Sequence, residues 1–224
     1  MKDIQKLDNP VWYSLSETHQ SYSIDYDNIK FYQPDFCPFG GFMQLENISN
    51  PITEYSKLTD NFFIVGEKPE FSDSVKLKNE LVCLQMIINR KIDIEIEENI
   101  VKLNEANLDD LLRLVNLVQP GYFKKKTYLL GNYFGIFKNH ELIAVTGERM
   151  KMDHYTELSA VITNPDQTGQ GYAKQLIAHT VNNIIEQGKI PYLHVAETNI
   201  GAIKLYEKLG FQTRRKISFW NLIR

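Results

Sequence analysis

Six consecutive residues, Thr168-Gly169-Gln170-Gly171-Tyr172-Ala173, are the clearest provision for chemistry in the sequence. Two glycines and an alanine remove side chains that would hold a ligand off the backbone, so successive amides can point outward together. An apolar series at helical spacing follows, Ala173, Leu176, Ile177, Thr180, Val181, Ile184 and Ile185, and Gly188 is its expected stop. A glycine turn that opens onto a helix N-terminus offers free N–H groups and the positive end of the helix dipole, which suits phosphate or pyrophosphate. The same glycines also suit a plain strand-to-helix connection. A P-loop reading fails on the missing Gly-Lys-Ser/Thr ending, which would place a lysine and a magnesium ligand.

The surrounding elements position this turn. Before it, Leu158, Ala160 and Ile162 alternate with Ser159, Val161 and Thr163, a pleated and largely buried strand broken by Asn164-Pro165-Asp166. From about Glu98 the pattern is regular. A short strand at 100–103 precedes a helix that Asn107 should cap, with Leu108, Leu111, Leu112, Val115 and Val118 on its apolar face and Asp109 and Asp110 in its first turn. A second short segment to Leu130, a hairpin over 133–150, strands at 155–163 and 191–196, a helix at 199–209 and a strand at 216–222 complete the order β-α-α-β-β-β-α-β-α-β. That order predicts an α/β fold, a central mixed β-sheet flanked by helices.

With these residues in these places, the stretch 98–224 resembles the GNAT superfamily of N-acetyltransferases. The family's acyl-CoA signature is Gln or Arg, two residues, Gly, one residue, then Gly or Ala, and it falls on Thr168, Gly171 and Ala173; Thr168 departs from the usual Gln or Arg. The second signature falls on Leu193 to Phe211, with Asn199, Ala202, Tyr206, Gly210 and Phe211 where the family has them. Two motifs at the right separation are far more specific than either alone.

The resemblance implies acyl transfer, most often acetyl, from acetyl-CoA (coenzyme A) as cosubstrate to a primary amine by direct attack, with no metal. It implies that the strand at Val161, Ile162 and Thr163 splays from its neighbour and pairs with the pantetheine amides. It further implies that Gly169, Gln170, Gly171, Tyr172, Ala173 and Lys174 cradle the pyrophosphate, with Asn199 and Tyr206 completing the cofactor site. Lys174 and Lys204 either add charge there or are solvated.

Tyr206 would be the general acid that protonates the departing thiolate; otherwise it is a core tyrosine beside Ile203 and Leu209. Glu157 ranks first as the base, at the glutamate position of histone-type members, or else it is a partner for Arg149. His194 ranks second, where ribosomal-protein acetyltransferases carry a glutamate, and a histidine is suited to that task; otherwise it is a satisfied core residue. The acceptor site would be built from the region around Gln119 to Phe123, from Glu197 and from the N-terminal aromatic unit, with acidic residues that the sequence does not single out drawing in the ammonium. A non-catalytic acyl-CoA-binding sensor is the alternative function.

Length and charge bound the rest. The chain has 224 residues, is 43% hydrophobic and carries a net charge of −3, which gives no reason to expect nucleic acid or an acidic membrane as partner. Residues 1–97 carry many aromatics but no chemical motif, and read as a smaller N-terminal α/β domain before the acetyltransferase domain at 98–224. Cys37 and Cys83, among apolar neighbours, read as buried thiols of a reducing compartment. No run approaches the length of a membrane span, so a cytoplasmic protein is expected, acting on a small-molecule or peptide amine, with a homodimer left open.

Overall fold

A computed structural model describes residues 3–224. Its strands are β1 (Ser23–Asp25), β2 (Ile29–Tyr32), β3 (Phe39–Phe42), β4 (Asn61–Gly66), β5 (Lys76–Ile87), β6 (Ile100–Lys102), β7 (Tyr133–Lys138), β8 (Glu141–Lys151), β9 (Tyr155–Thr163), β10 (Ile190–Ala196) and β11 (Gln212–Ile223). The helices are α1 (Pro10–Ser16), α2 (Ser49–Ser56), α3 (Leu108–Val118), α4 (Tyr172–Glu186) and α5 (Ile200–Leu209). All of these strands join one mixed sheet in the order β1-β2-β3-β4-β11-β5-β10-β9-β8-β7-β6. Only β3/β4 and β9/β10 are parallel.

Helices cover both faces, as their apolar stripes require. On one face Ile177, Ala178 and Val181 of α4 and Ile203 and Leu209 of α5 pack on Met86, Leu158, Leu193 and Val195. On the other, Val11 and Leu15 of α1 share a cluster with Cys83, Tyr155, Tyr192 and Phe219. Leu111, Leu114 and Val115 of α3 meet Leu142, Val145 and Ile162. The aromatics of the first 97 residues form core: Phe31 stacks on Tyr55 with ring centroids 3.9 Å apart, and Phe62 meets both rings edge-on.

The boundary expected near residue 97 falls in the extended stretch between β5 and β6. The sheet runs through both sides of it, because β5 lies between β10 and β11, pairing with β11 from Lys76 to Ile87 and with β10 from Cys83 to Ile87. Two local expectations differ from the structure. The segment ending at Leu130 is not a second helix but a 3-10 turn, Thr127–Leu130. The Thr127 hydroxyl donates to Phe36 O at 2.6 Å and accepts the Lys124 N–H at 2.7 Å, so a contact to the first half of the chain fixes this turn. At the start of α3, Asn107 makes no side-chain cap; it accepts the Asn104 N–H while Asn104 accepts that of Ala106. Cys37 and Cys83 are buried and unbridged, and burial pushes each thiol up to about 12.

A core shared across residue 97 should unfold as one unit. Trp12 lies in α1 and Trp220 in β11. Urea titrations of single-tryptophan variants, Trp220→Phe and Trp12→Phe, should each be followed by fluorescence and by circular dichroism. The two probes are expected to report the same midpoint within each variant, and a fluorescence transition displaced from the dichroism one would show that the halves unfold separately.

Candidate active site

Strands β9 and β10 stay paired only from Tyr155–Glu157 opposite Ile190–Tyr192. Beyond that point β9 runs on beside β8 alone, and β10 runs on beside β5 alone. A bulge drives the divergence: Val145 faces Ile162 and Gly147 faces Ser159, so β9 advances one residue more than β8. The additional residue sits at Ala160, whose φ of 49° is left-handed, a conformation a small side chain tolerates best. From Leu158 onward the N–H and C=O groups of β9 on this side have no ladder partner.

The gap opens into a cavity of about 340 Å³ that passes between the two faces of the sheet. Leu158, Val161, Val195, Ala202 and Tyr206 line it from the α4/α5 side. Phe39, Leu81, Cys83, Tyr122 and Phe219 line it from the α1 side, and Arg149, His194, Gln119 and Asn199 also reach it.

Beyond the cavity, Gly169 and Gly171 both have φ of 80°, and a Cβ added to either would meet nothing within 4 Å. Gly171 caps α4, whose first N–H groups therefore stay free. An open turn of this kind fits a pyrophosphate. Thr168 is exposed and its hydroxyl donates back to Pro165 O, closing the preceding turn. Gln170 and Lys174 are exposed, Tyr172 and Ala173 half-buried, Thr163 half-buried, and Ile162 packs under α3. Asn199 caps α5 by accepting the Ala202 N–H at 3.2 Å. Tyr206 stands one face along from it, edge-on to Phe211 at 5.6 Å, and burial raises its hydroxyl, which therefore keeps its proton at neutral pH.

Glu157, His194 and Arg149 meet where β9 and β10 part. Arg149 grips the Glu157 carboxylate from Nε (2.8 Å) and Nη2 (2.7 Å), the Met150 N–H donates to it at 3.3 Å, and His194 Nδ1 lies 2.8 Å away. Burial pushes this carboxyl up, but Arg149 outweighs burial and holds it at about 2. Glu157 is thus the partner of Arg149, and it is not part of the cavity wall.

Gln85 settles the histidine tautomer. Its Nε2 donates to Leu7 O (2.7 Å) and its Oε1 accepts from Arg214 (2.9 Å), so its amide can be oriented only one way. The contact of Nε2 with His194 Nε2 at 3.1 Å must then be a donation to the ring. That geometry leaves the Nδ1 proton of His194 pointing at Glu157. Arg214 also pairs with Asp8 at 2.7 Å, so the first residues of the chain brace the histidine.

The structure therefore brings Glu157, His194, Val161, Asn199 and Tyr206 to one gap, while 169–174 lie after the end of β9 and do not line the cavity. It adds Phe39, Gln85, Ala160 and Phe219, which sequence reasoning missed. Gln85 had a visible signal as the lone polar residue in the apolar run 81–88. Glu197 turns outward to Lys216 at 2.7 Å rather than into the cavity. Among the described residues no cluster of His, Cys, Asp and Glu could hold a metal, and no helix is long and apolar enough to cross a membrane.

Residues 133–220 match the family model described as FR47-like protein. Over its length the chain is similar to a solved structure from Novosphingobium aromaticivorans described as an acetyltransferase from the GNAT family, with 28% identity, 97% of this chain and 98% of that one covered, and a TM-score of 0.87. A GCN5-related N-acetyltransferase-like protein from Streptococcus suis shares the fold at 13% identity, covering 100% and 98% of the two chains with a TM-score of 0.64. A GCN5-related N-acetyltransferase from Kribbella flavida does so at 11% identity, with 95% and 93% covered and a TM-score of 0.61. No curated protein matches the sequence.

The Glu157 carboxyl, ordinarily near 4.5, is more acidic in the folded chain. Its contribution to stability is therefore complete above about pH 4.5 and is lost as pH falls toward about 2, on the order of 3 kcal/mol in all. Urea midpoints should drop across that window. Glu157→Gln should be less stable at neutral pH by about 3–5 kcal/mol, because Arg149 is left unpaired, and should show a shallower acid slope. An unchanged slope in the variant would exclude this pair as the origin.

Proposed function

From its likeness over nearly its whole length to an acetyltransferase of the GNAT family and its match over residues 133–220 to the FR47-like model, we propose that this chain transfers acetyl from acetyl-CoA to a primary amine by direct attack within the gap between β9 and β10. The observation that carries this reading is the cavity between β9 and β10, with a free strand edge beside it, a buried polar cluster where the strands part and an open glycine turn following β9 in the chain. Acetyl-CoA would supply the acyl group as a thioester. In the exchange a C–N bond forms and the C–S bond breaks, the amine sheds a proton and the CoA sulfur takes one up.

The unpaired edge of Leu158–Thr163 suits the pantetheine amides, and Gly169–Lys174 suits the pyrophosphate. Thr168 would contribute little there, since its hydroxyl serves its own turn. Tyr206 keeps its proton and stands at the α5 wall, in position to donate to the thiolate. A free thiol has a pKa near about 8.5, so full transfer from a raised tyrosine needs the thiolate to be disfavoured by the same burial.

For the amine proton we favour His194 over Glu157, reversing the order read from the sequence. Four donors occupy Glu157 and hold it acidic, whereas His194 lines the cavity and only a neutral amide N–H of Gln85 covers its Nε2. Glu157 would steady the imidazolium that forms, as a positioning partner. The amine must also arrive uncharged, which an apolar cavity encourages by disfavouring ammonium. Residues 1–97 would serve as the acceptor half of the site, through Phe39, Leu81 and Cys83. A CoA-dependent enzyme of this kind would work in the cytoplasm.

Thiol release from acetyl-CoA in the presence of an amine panel tests the reading: acceptor-dependent thiol is expected, and tight acetyl-CoA binding without it would leave only a sensor. Tyr206→Phe should lower kcat by about 10²-fold or more with acetyl-CoA affinity nearly unchanged; full turnover would remove it as the acid. Gly171→Val, which adds a side chain to the open turn, should abolish coenzyme A binding, with the melting temperature tracking any cost of its left-handed φ. Normal binding would refute the placement of the pyrophosphate.

A further inference from the structure

The cavity wall carries one full charge, and it is positive. Among the described residues no Asp or Glu lines the cavity, and Arg149 is the one Lys or Arg that does. The acidic attraction for an ammonium that the sequence led us to expect is therefore missing from this wall. A polyamine or a lysine-rich tail would meet a buried guanidinium with no carboxylate to answer its charges.

Arg149 is itself incompletely satisfied. Its Nε and Nη2 are taken by Glu157, and its Cζ lies over the Phe39 ring, 4.6 Å from the centroid. Its third nitrogen, Nη1, has no hydrogen-bond partner among the described residues, although the side chain is only 16% exposed. A guanidinium edge without a protein acceptor on a residue that lines the cavity is available to a ligand, and arginine matches a carboxylate best. Around it Phe39, Phe219, Tyr122 and Leu81 form a wall that is mostly aromatic and apolar. About 340 Å³ is at the small end for a ligand site, and it must also take the acyl tip of the donor.

We propose that the acceptor is an amino acid with an apolar or aromatic side chain, its carboxylate on Nη1 of Arg149 and its side chain against Phe39, Tyr122 and Phe219. The claim rests on the acetyltransferase reading for its chemistry and on the cavity wall for its specificity. With Glu157 already balancing the single charge of Arg149, the acceptor carboxylate adds a second anion to the same cation. The recognition is thus by hydrogen bonds from Nη1 as much as by net charge.

The test uses the wild-type protein and matched acceptors: phenylalanine and phenylalanine amide, leucine and leucine amide, and spermidine. Thiol release from acetyl-CoA gives kcat/KM for each, and thermal shift of the coenzyme A-bound protein gives binding without turnover. The free acids should exceed their amides by about tenfold or more in kcat/KM, and should stabilise the protein more. The lower basicity of an amino amide biases reactivity the other way, so the acids must overcome that bias. Amides equal to or better than the acids in both readouts, or spermidine as the best acceptor, would overturn the proposal. If no acceptor gives thiol but the acids still outdo the amides in thermal shift, the specificity stands and the transferase reading falls. If neither acids nor amides give thiol or a shift, the proposal falls. Arg149→Lys, which keeps a cation for Glu157 but loses the fork, should bring acids and amides toward equality; undiminished discrimination in a variant that melts normally would also overturn it.

Discussion

The parting of β9 from β10 is the constraint on which the rest of this structure depends. A parallel pair held over Tyr155–Glu157 and then abandoned leaves backbone donors and acceptors exposed inside a sheet, which a fold ordinarily avoids. The bulge at Ala160 turns β9 aside, while β5 and β8 keep the outer edges of the two strands paired. Helices α4 and α5 then seal one face and the α1 cluster the other. The opening is thus a built cavity whose free edges call for a ligand with alternating amide groups.

At the base of the gap, charge is placed where it costs most and is compensated most fully. A buried carboxylate and guanidinium gain little net stability as a pair, yet removing either strands the other. Their value here is orientation. Arg149 and Met150 fix Glu157, Glu157 fixes the Nδ1 proton of His194, and Gln85 fixes the ring from behind. Gln85 is in turn held by Leu7 and Arg214, so residues far away in sequence decide how the histidine presents itself. The first half of the chain contributes a central strand, part of the cavity wall and this brace.

Much of the later half was legible because its signals are local. The strand at 155–163 coincides with the alternation seen in the sequence, and α4 and α5 follow apolar spacing bounded by Gly171, Asn199 and Gly210. The insertion of β5 between β10 and β11 was not legible, since long-range pairing leaves no mark in a local pattern. Nor was the bulge, because alanine carries no turn signal. The 3-10 turn at Thr127 depends on a bond to Phe36, a contact that no periodicity reveals. Glu157 shows the limit for chemistry: its position was readable, but the four donors around it come from β8 and β10 and leave no mark in a local pattern.

The account stands on coenzyme A occupying the gap as an added strand. Hydrogen–deuterium exchange with and without saturating coenzyme A tests this most directly. The amides of Leu158–Thr163 and of Gly169–Lys174 should gain protection together, while those of β1 to β4 change little. Protection confined to other elements, with binding demonstrated by a raised melting temperature, would contradict it.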